Sequence, residues 1–111
     1  MATRKNDILQ GTLALLVLKT LHSKGRMHGY AITTHIQQVS AELLRLEEGS
    51  LYPALQKLLV NGWVKASWTK SESGREVREY RLTSTGRKQL DSALAEYRRV
   101  NKAIGILLDT A

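Results

Sequence analysis

At 111 residues the chain is long enough for one domain with a modest core and too short for two independent ones. Its 42% hydrophobic and 24% charged content is that of an ordinary soluble globular protein. The lack of cysteine excludes disulfides and thiolate metal sites, and seventeen Lys and Arg against ten Asp and Glu leave +7 formal charges, which point to a polyanionic partner, nucleic acid before membrane.

The start, Met1-Ala2-Thr3-Arg4-Lys5-Asn6-Asp7, does not read as a signal peptide. The apolar run Leu13 to Leu18 is far shorter than the roughly 20 residues that span a bilayer. A cytoplasmic protein with no membrane partner is expected. From Asp7 to about His22 the leucine-rich pattern Ile8, Leu9, Leu13, Leu15, Leu16, Val17, Leu18, Leu21 argues a helix that is apolar on more than one face. One of its sides is expected to meet another subunit, with Leu13 on it.

His28-Gly29-Tyr30 opens a second helix, with Ala31, Ile32, Ile36 and Val39 near helical spacing and an end around Ser40. Residues 41–47 form a connector. A third helix follows in Glu48-Gly49-Ser50-Leu51-Tyr52-Pro53-Ala54-Leu55-Gln56-Lys57-Leu58-Leu59-Val60, closed by Asn61-Gly62. Three short helices in this order fit a helix-turn-helix unit, although other helical arrangements share the pattern. The third helix has an unusual outward face. Gln56 can pair its amide with adenine, Lys57 can reach guanine or phosphate, and Ser50 and Tyr52 suit phosphates near a helix start. Pro53 is expected in the first helical turn, where its missing N–H costs nothing. The plainer alternative is a surface helix capped by Ser50 with Tyr52 half-buried.

After Gly62 the period changes to two. Residues 63–70 and 77–82 alternate as strands around the polar loop Ser71-Glu72-Ser73-Gly74-Arg75-Glu76. A hairpin behind a recognition helix is a wing. It carries Lys65, Lys70, Arg75, Arg78 and Arg81 against Glu72, Glu76 and Glu79, and Arg75 beside Gly74 is the leading candidate for DNA contact. A solvated hairpin of mixed charge is the alternative. Trp63 and Trp68 are expected to pack under the wing.

Thr83-Ser84-Thr85-Gly86 signals a helix start, and the last helix runs from about Ser84 to Leu108. Leu90, Leu94, Tyr97, Ile104 and Leu108 form a heptad-like seam with Asn101 as its polar member. Together with Leu13 they are the expected homodimer interface. Tyr97 reads either as a dimer contact with its hydroxyl at the rim or as a wall of an effector pocket between subunits. The expected fold is mainly α with a small β-hairpin. Residues 1–83 form a winged helix-turn-helix and 84–111 a C-terminal dimerisation helix, within one compact unit.

Catalysis and metal binding find no support. His22, His28 and His35 lack the close spacing of a zinc helix, and no nucleophile, Gly-rich phosphate loop or paired acid and base stands out. His28, at a helix start, suits a capping or phosphate role. No cofactor is expected.

His28-Gly29-Tyr30-Ala31-Ile32, Glu48-Gly49-Ser50-Leu51-Tyr52-Pro53-Ala54-Leu55 and Tyr80-Arg81-Leu82-Thr83, in this order and spacing, resemble the PadR family of transcriptional regulators over about residues 8–108. The resemblance implies a winged helix-turn-helix that dimerises through its terminal helices, usually represses transcription, and releases DNA when an effector is present. The short terminal segment looks like the compact branch, with a single dimerisation helix. By position, Ser50, Tyr52, Pro53, Gln56 and Lys57 fall on the recognition helix, Tyr30 at the start of the preceding one and Arg75 at the wing. Family wings are often basic and aromatic after the glycine, where this chain has Glu76, Val77 and Glu79. Some compact relatives carry a tryptophan near Tyr97 and bind flat, drug-like molecules, so a small aromatic or phenolic effector is implied. A winged-helix protein-interaction module that never touches DNA is the competing class.

Overall fold

The computed structural model describes residues 12–110. Helix α1 spans Leu13–Lys24 and is followed by a two-residue strand β1 (Met27–His28), α2 (Gly29–Val39), α3 (Glu48–Val60), the hairpin β2 (Val64–Lys70) and β3 (Glu76–Leu82), and α4 (Ser84–Leu108). Residues 7–11, expected to begin the first helix, lie outside the described residues. None of the described helices is long and apolar enough to cross a membrane.

Helix α1 is the hub. Leu13, Val17, Leu18, Thr20 and Leu21 are all buried, which places apolar contacts on several sides of one helix. It packs against α2, α3, β3 and α4. Its hydroxyl inside the core is satisfied locally, since Thr20 Oγ1 donates to the Leu16 carbonyl at 2.8 Å. The helix stops at Gly25, whose φ of 85° is open to glycine without Cβ strain. Ile32 and Ile36 of α2 and Leu51, Leu55 and Leu58 of α3 close the core from the other side. Each such buried aliphatic side chain contributes roughly 2 kcal/mol.

The α2–α3 connection carries two non-glycine residues in the left-handed region, Ala41 (φ 56°) and Glu42 (φ 69°). Ser40 holds this turn: its hydroxyl donates to the Gln37 carbonyl and accepts from Leu44 N–H at 3.0 Å. In α3, Glu47 is the N-cap residue, so Ser50 is the third residue of the helix and does not cap it. Pro53 is inside the helix, in its second turn, contrary to the first-turn expectation. Lacking an N–H, it leaves the Gly49 carbonyl without a helical donor.

The sheet has the order β1-β3-β2. Val64 opposes Leu82 and Ala66 opposes Tyr80, and this face meets the core. Strand β1, too short to show a period in sequence, adds Met27 beside Tyr80. Helix α4 begins in the core and leaves it. Only Gly86 and Leu90 are buried, and the apolar residues from Tyr97 onward are exposed. The result is an elongated molecule, 58 × 34 × 22 Å, with a helix-turn-helix, a wing and a projecting terminal helix.

Two residues expected at the dimer interface are buried within the protomer. Leu13 and Leu90 are 6% and 2% exposed and belong to the protomer's own core. The seam's first member is used up by α1, which packs against the start of α4. Trp63 does pack against the core, whereas Trp68 is 67% exposed and does not lie under the wing. It shares a sheet face with Val64 and Ala66 but stands beyond the point where the core ends.

Candidate nucleic-acid interface

In α3, Leu51, Leu55 and Leu58 take the inner stripe, so Tyr52, Pro53, Gln56 and Lys57 are forced outward by the helical period. Ser50 is half-buried. Tyr52 and Gln56 are one turn apart and line the same cleft, about 640 Å³, between α3, the start of α2 and the wing. Tyr30 and Arg75 line it too. Four of the seven expected DNA-contacting residues therefore converge on one surface from three separate elements. Ser50, Pro53 and Lys57 do not line this cleft.

The wing tip owes its shape to Gly74, at φ 86°. Ser71 N–H donates to the Arg75 carbonyl at 2.8 Å and Gly74 N–H to the Ser71 carbonyl at 2.9 Å, which closes the loop and leaves the Arg75 side chain exposed. Behind it, Arg78 and Trp68 are register partners, and the Arg78 guanidinium carbon sits 6.0 Å from the centroid of the Trp68 ring. Both line the cleft. Sequence reasoning passed over this pair as cleft residues. Its signal was the period of two, which carries the core face onward to a tryptophan and an arginine after the core residues have run out.

The chemistry of the cleft is hydrogen-bonding, aromatic and cationic. Tyr30 and Tyr52 are 66% and 54% exposed, so their phenols are free to reach phosphate oxygens. Gln56 is the group equipped for bidentate base reading. Tyr80 forms the floor. Burial pushes its phenol above the ordinary value, the nearby Arg78 charge offsets part of this, and Tyr52 adds to it. The phenol is thus protonated at neutral pH and available as a donor. His28 also lines the cleft, as the N-cap residue of α2 but with no side-chain capping hydrogen bond. Among the described residues no group of three or more His, Asp or Glu is placed to hold a metal.

Tyr97 and Ile104 are 44% and 48% exposed on α4, Leu108 is exposed and Leu94 half-buried. These are remote in sequence from the cleft and stand on the projecting helix.

The sequence profile described as the transcriptional regulator PadR-like family matches residues 17–92. The chain superposes on a PadR family transcriptional regulator from Eggerthella lenta DSM 2243 with a TM-score of 0.82 and 25% identity, covering 99% of this chain and 93% of that one. It is 25% identical over 81 residues to the negative transcriptional regulator PadR of Bacillus subtilis (strain 168), covering 73% of this chain and 44% of that protein. The Bacillus subtilis PadR structure in complex with operator DNA matches with a TM-score of 0.67 and 27% identity, over 78% of this chain and 48% of that one. This chain thus spans less than half the length of both Bacillus subtilis chains. With this architecture and this match, the chain belongs to the PadR-like family of transcriptional regulators, which are not enzymes.

Proposed function

We propose that this regulator binds DNA sequence-specifically as a homodimer, reading an inverted repeat and repressing transcription until an effector is bound. The carrying observation is the convergence of Tyr30, Tyr52, Gln56 and Arg75 on one cleft between helix and wing. The solved complex of Bacillus subtilis PadR, a similar chain, with operator DNA supports DNA as the partner. In this reading Gln56 and Lys57 contact base edges, the tyrosines and Ser50 fix the phosphates, and Arg75 follows the backbone. Pro53 shapes and fronts the helix face.

Dimerisation is proposed through the exposed stripe of α4, with Leu94, Tyr97, Ile104 and Leu108 as its contacts. A 25-residue helix buried at only two positions leaves a long apolar face for a second copy. A two-fold dimer would set its reading heads about 10 bp apart or a multiple of that. A small aromatic or phenolic effector between the α4 helices, against Tyr97, would change that spacing. Selection of bound sequences from a random DNA pool tests the reading: an enriched inverted repeat is expected. A pool that stays unenriched would leave the fold as a protein-interaction module.

A further inference from the structure

A second cationic region lies at the base of the wing. On the sheet face turned away from the core, Lys65 stands directly opposite Arg81. Arg26 immediately precedes β1, whose Met27 opposes Tyr80, so the same antiparallel register sets Arg26 beside Arg81 on the other side. Three exposed cations therefore stand near one another, Lys65 and Arg81 on paired strands about 4.8 Å apart and Arg26 at the residue before β1. Like charges directly opposite one another destabilise a sheet. No ion pair within 4.0 Å neutralises them among the described residues, and the nearest carboxylate on the face is the next one along β3. The ion pairs among the described residues are Arg87–Asp91 and Arg99–Glu96, and neither involves this row. Glu79 is the one carboxylate on this face among the described residues, and its register partners are Ser67 and His28.

The row borders a groove of about 500 Å³ whose walls include Leu59, Gly62 and the four consecutive residues Val64, Lys65, Ala66 and Ser67, and which has no acidic residue in its lining. Consecutive residues of one strand line a groove only along its edge, and β2 is an edge strand. The parity of its ladder is fixed at both ends. Thr83 N–H donates to the Trp63 carbonyl at 3.1 Å, and Ser71 N–H to the Arg75 carbonyl at 2.8 Å. Odd-numbered residues of β2 thus bond to β3, and the N–H and C=O groups of Val64, Ala66, Trp68 and Lys70 turn to the open edge. Among the described residues no hydrogen bond outside the sheet engages these groups.

We infer that this edge takes an extended acidic segment of a partner protein, added beside β2 as a further strand. Alternate carboxylates of such a strand would face Lys65 directly, with Arg81 and Arg26 extending the positive field behind it. A polypeptide uses both features of the site, the open backbone groups and the unneutralised row. A nucleic acid uses only the second. The row is also about 20 Å from Arg75 along a strand rising roughly 3.4 Å per residue, so a duplex held by α3 and Arg75 leaves Lys65 and Arg81 open, while Arg78 lines both this groove and the cleft. That last step rests on the DNA-binding reading above.

The test uses the full chain and a fluorescent decapeptide of alternating glutamate and threonine, followed by anisotropy with and without the DNA duplex that the protein selects. Binding is expected in both conditions. The Lys65→Glu/Arg81→Glu variant should weaken it about tenfold or more, as two attractive contacts become repulsive. Ala66→Pro, which removes an outward N–H while sparing the β3 ladder, should weaken it several-fold. A peptide with the same residues in two blocks should bind less well than the alternating one. No binding to the free protein, or equal binding by the doubly reversed variant, overturns the inference. So does displacement of the peptide by duplex together with loss of duplex affinity in that variant, which would assign the row to DNA. Peptide binding by a protein that binds no duplex would fault the DNA reading alone and leave this surface assignment standing.

Discussion

The hydroxyl of Thr83 donates a 2.7 Å hydrogen bond to the carbonyl of Gly62, across 21 residues of chain. The same oxygen accepts from Gly86 N–H at 2.9 Å and caps α4. One side chain therefore joins the turn after α3, the base of the wing and the start of the projecting helix.

Replacing Thr83 with valine keeps the shape and removes both bonds. We expect a loss of roughly 1–2 kcal/mol, read as a lower urea midpoint at unchanged m-value. Gly86→Ala should cost more, about 3 kcal/mol, because a Cβ there collides with the Trp63 carbonyl. Equal midpoints for wild type and Gly86→Ala would mean the α4–wing joint is looser than described.

Gln56→Ala should weaken operator binding by roughly 1–3 kcal/mol and relax specificity at one base position. Arg75→Ala should lower affinity for every sequence and flatten the salt slope. Trp68→Ala should resemble Arg75→Ala, since it removes the ring that the Arg78 guanidinium faces at 6.0 Å. Titrations against operator and random duplexes at two salt concentrations separate these effects. Identical losses on both duplexes for all three variants would contradict the division between reading and anchoring.

Leu94→Glu and Ile104→Glu should each convert a dimer to a folded monomer in sedimentation, with helical content retained. Leu90→Ala should do something different. Its side chain is inside the protomer core, so the expected result is destabilisation by roughly 2–5 kcal/mol. A Leu94→Glu protein that sediments as a dimer would remove α4 from the interface.

Tyr80 gives a pH signature. Its phenol is held above 10.0 in the folded protein, chiefly by burial. As pH rises past that ordinary value, the unfolded chain loses the proton first and is stabilised, so folding stability declines until the folded phenol also ionises. The contribution is fully present below 10.0 and is lost on the alkaline side. Tyr80→Phe should flatten this part of the stability profile. Parallel alkaline profiles for the two proteins would show that burial does not act on this group.

Ala41 is held at φ 56° in the turn that aims α3. Ala41→Gly should stabilise the protein by about 0.5–1 kcal/mol, as relief of left-handed strain exceeds the added chain entropy. A lower thermal midpoint for the glycine variant would instead place the strain elsewhere.

Much of the fold was legible because it follows from local period. The α3 leucines, the Asn61-Gly62 stop, the polar loop around Gly74 and the hydroxyl-rich start of α4 each place an element boundary by short-range chemistry. Burial was less legible. The seam Leu90, Leu94, Tyr97, Ile104, Leu108 reads as one continuous line in sequence, but its first residue is consumed by α1 and the later ones are not. Trp68 reads as a core tryptophan by residue type, and only its distance from the Val64–Ala66 end of the hairpin leaves it exposed. Strand β1 has two residues and exists only because β3 offers an edge to pair with.

The sequence by itself determined the order of helices, hairpin and terminal helix, because side-chain period and turn chemistry act over a few neighbouring residues. It also determined which groups on α3 face outward. Only the tertiary structure decided that Tyr30, Tyr52, Gln56 and Arg75 share one cleft while Arg26, Arg81 and Lys65 share another surface. Those groupings depend on strand register and helix packing, which bring together residues up to about half the chain apart and leave no mark in any local window.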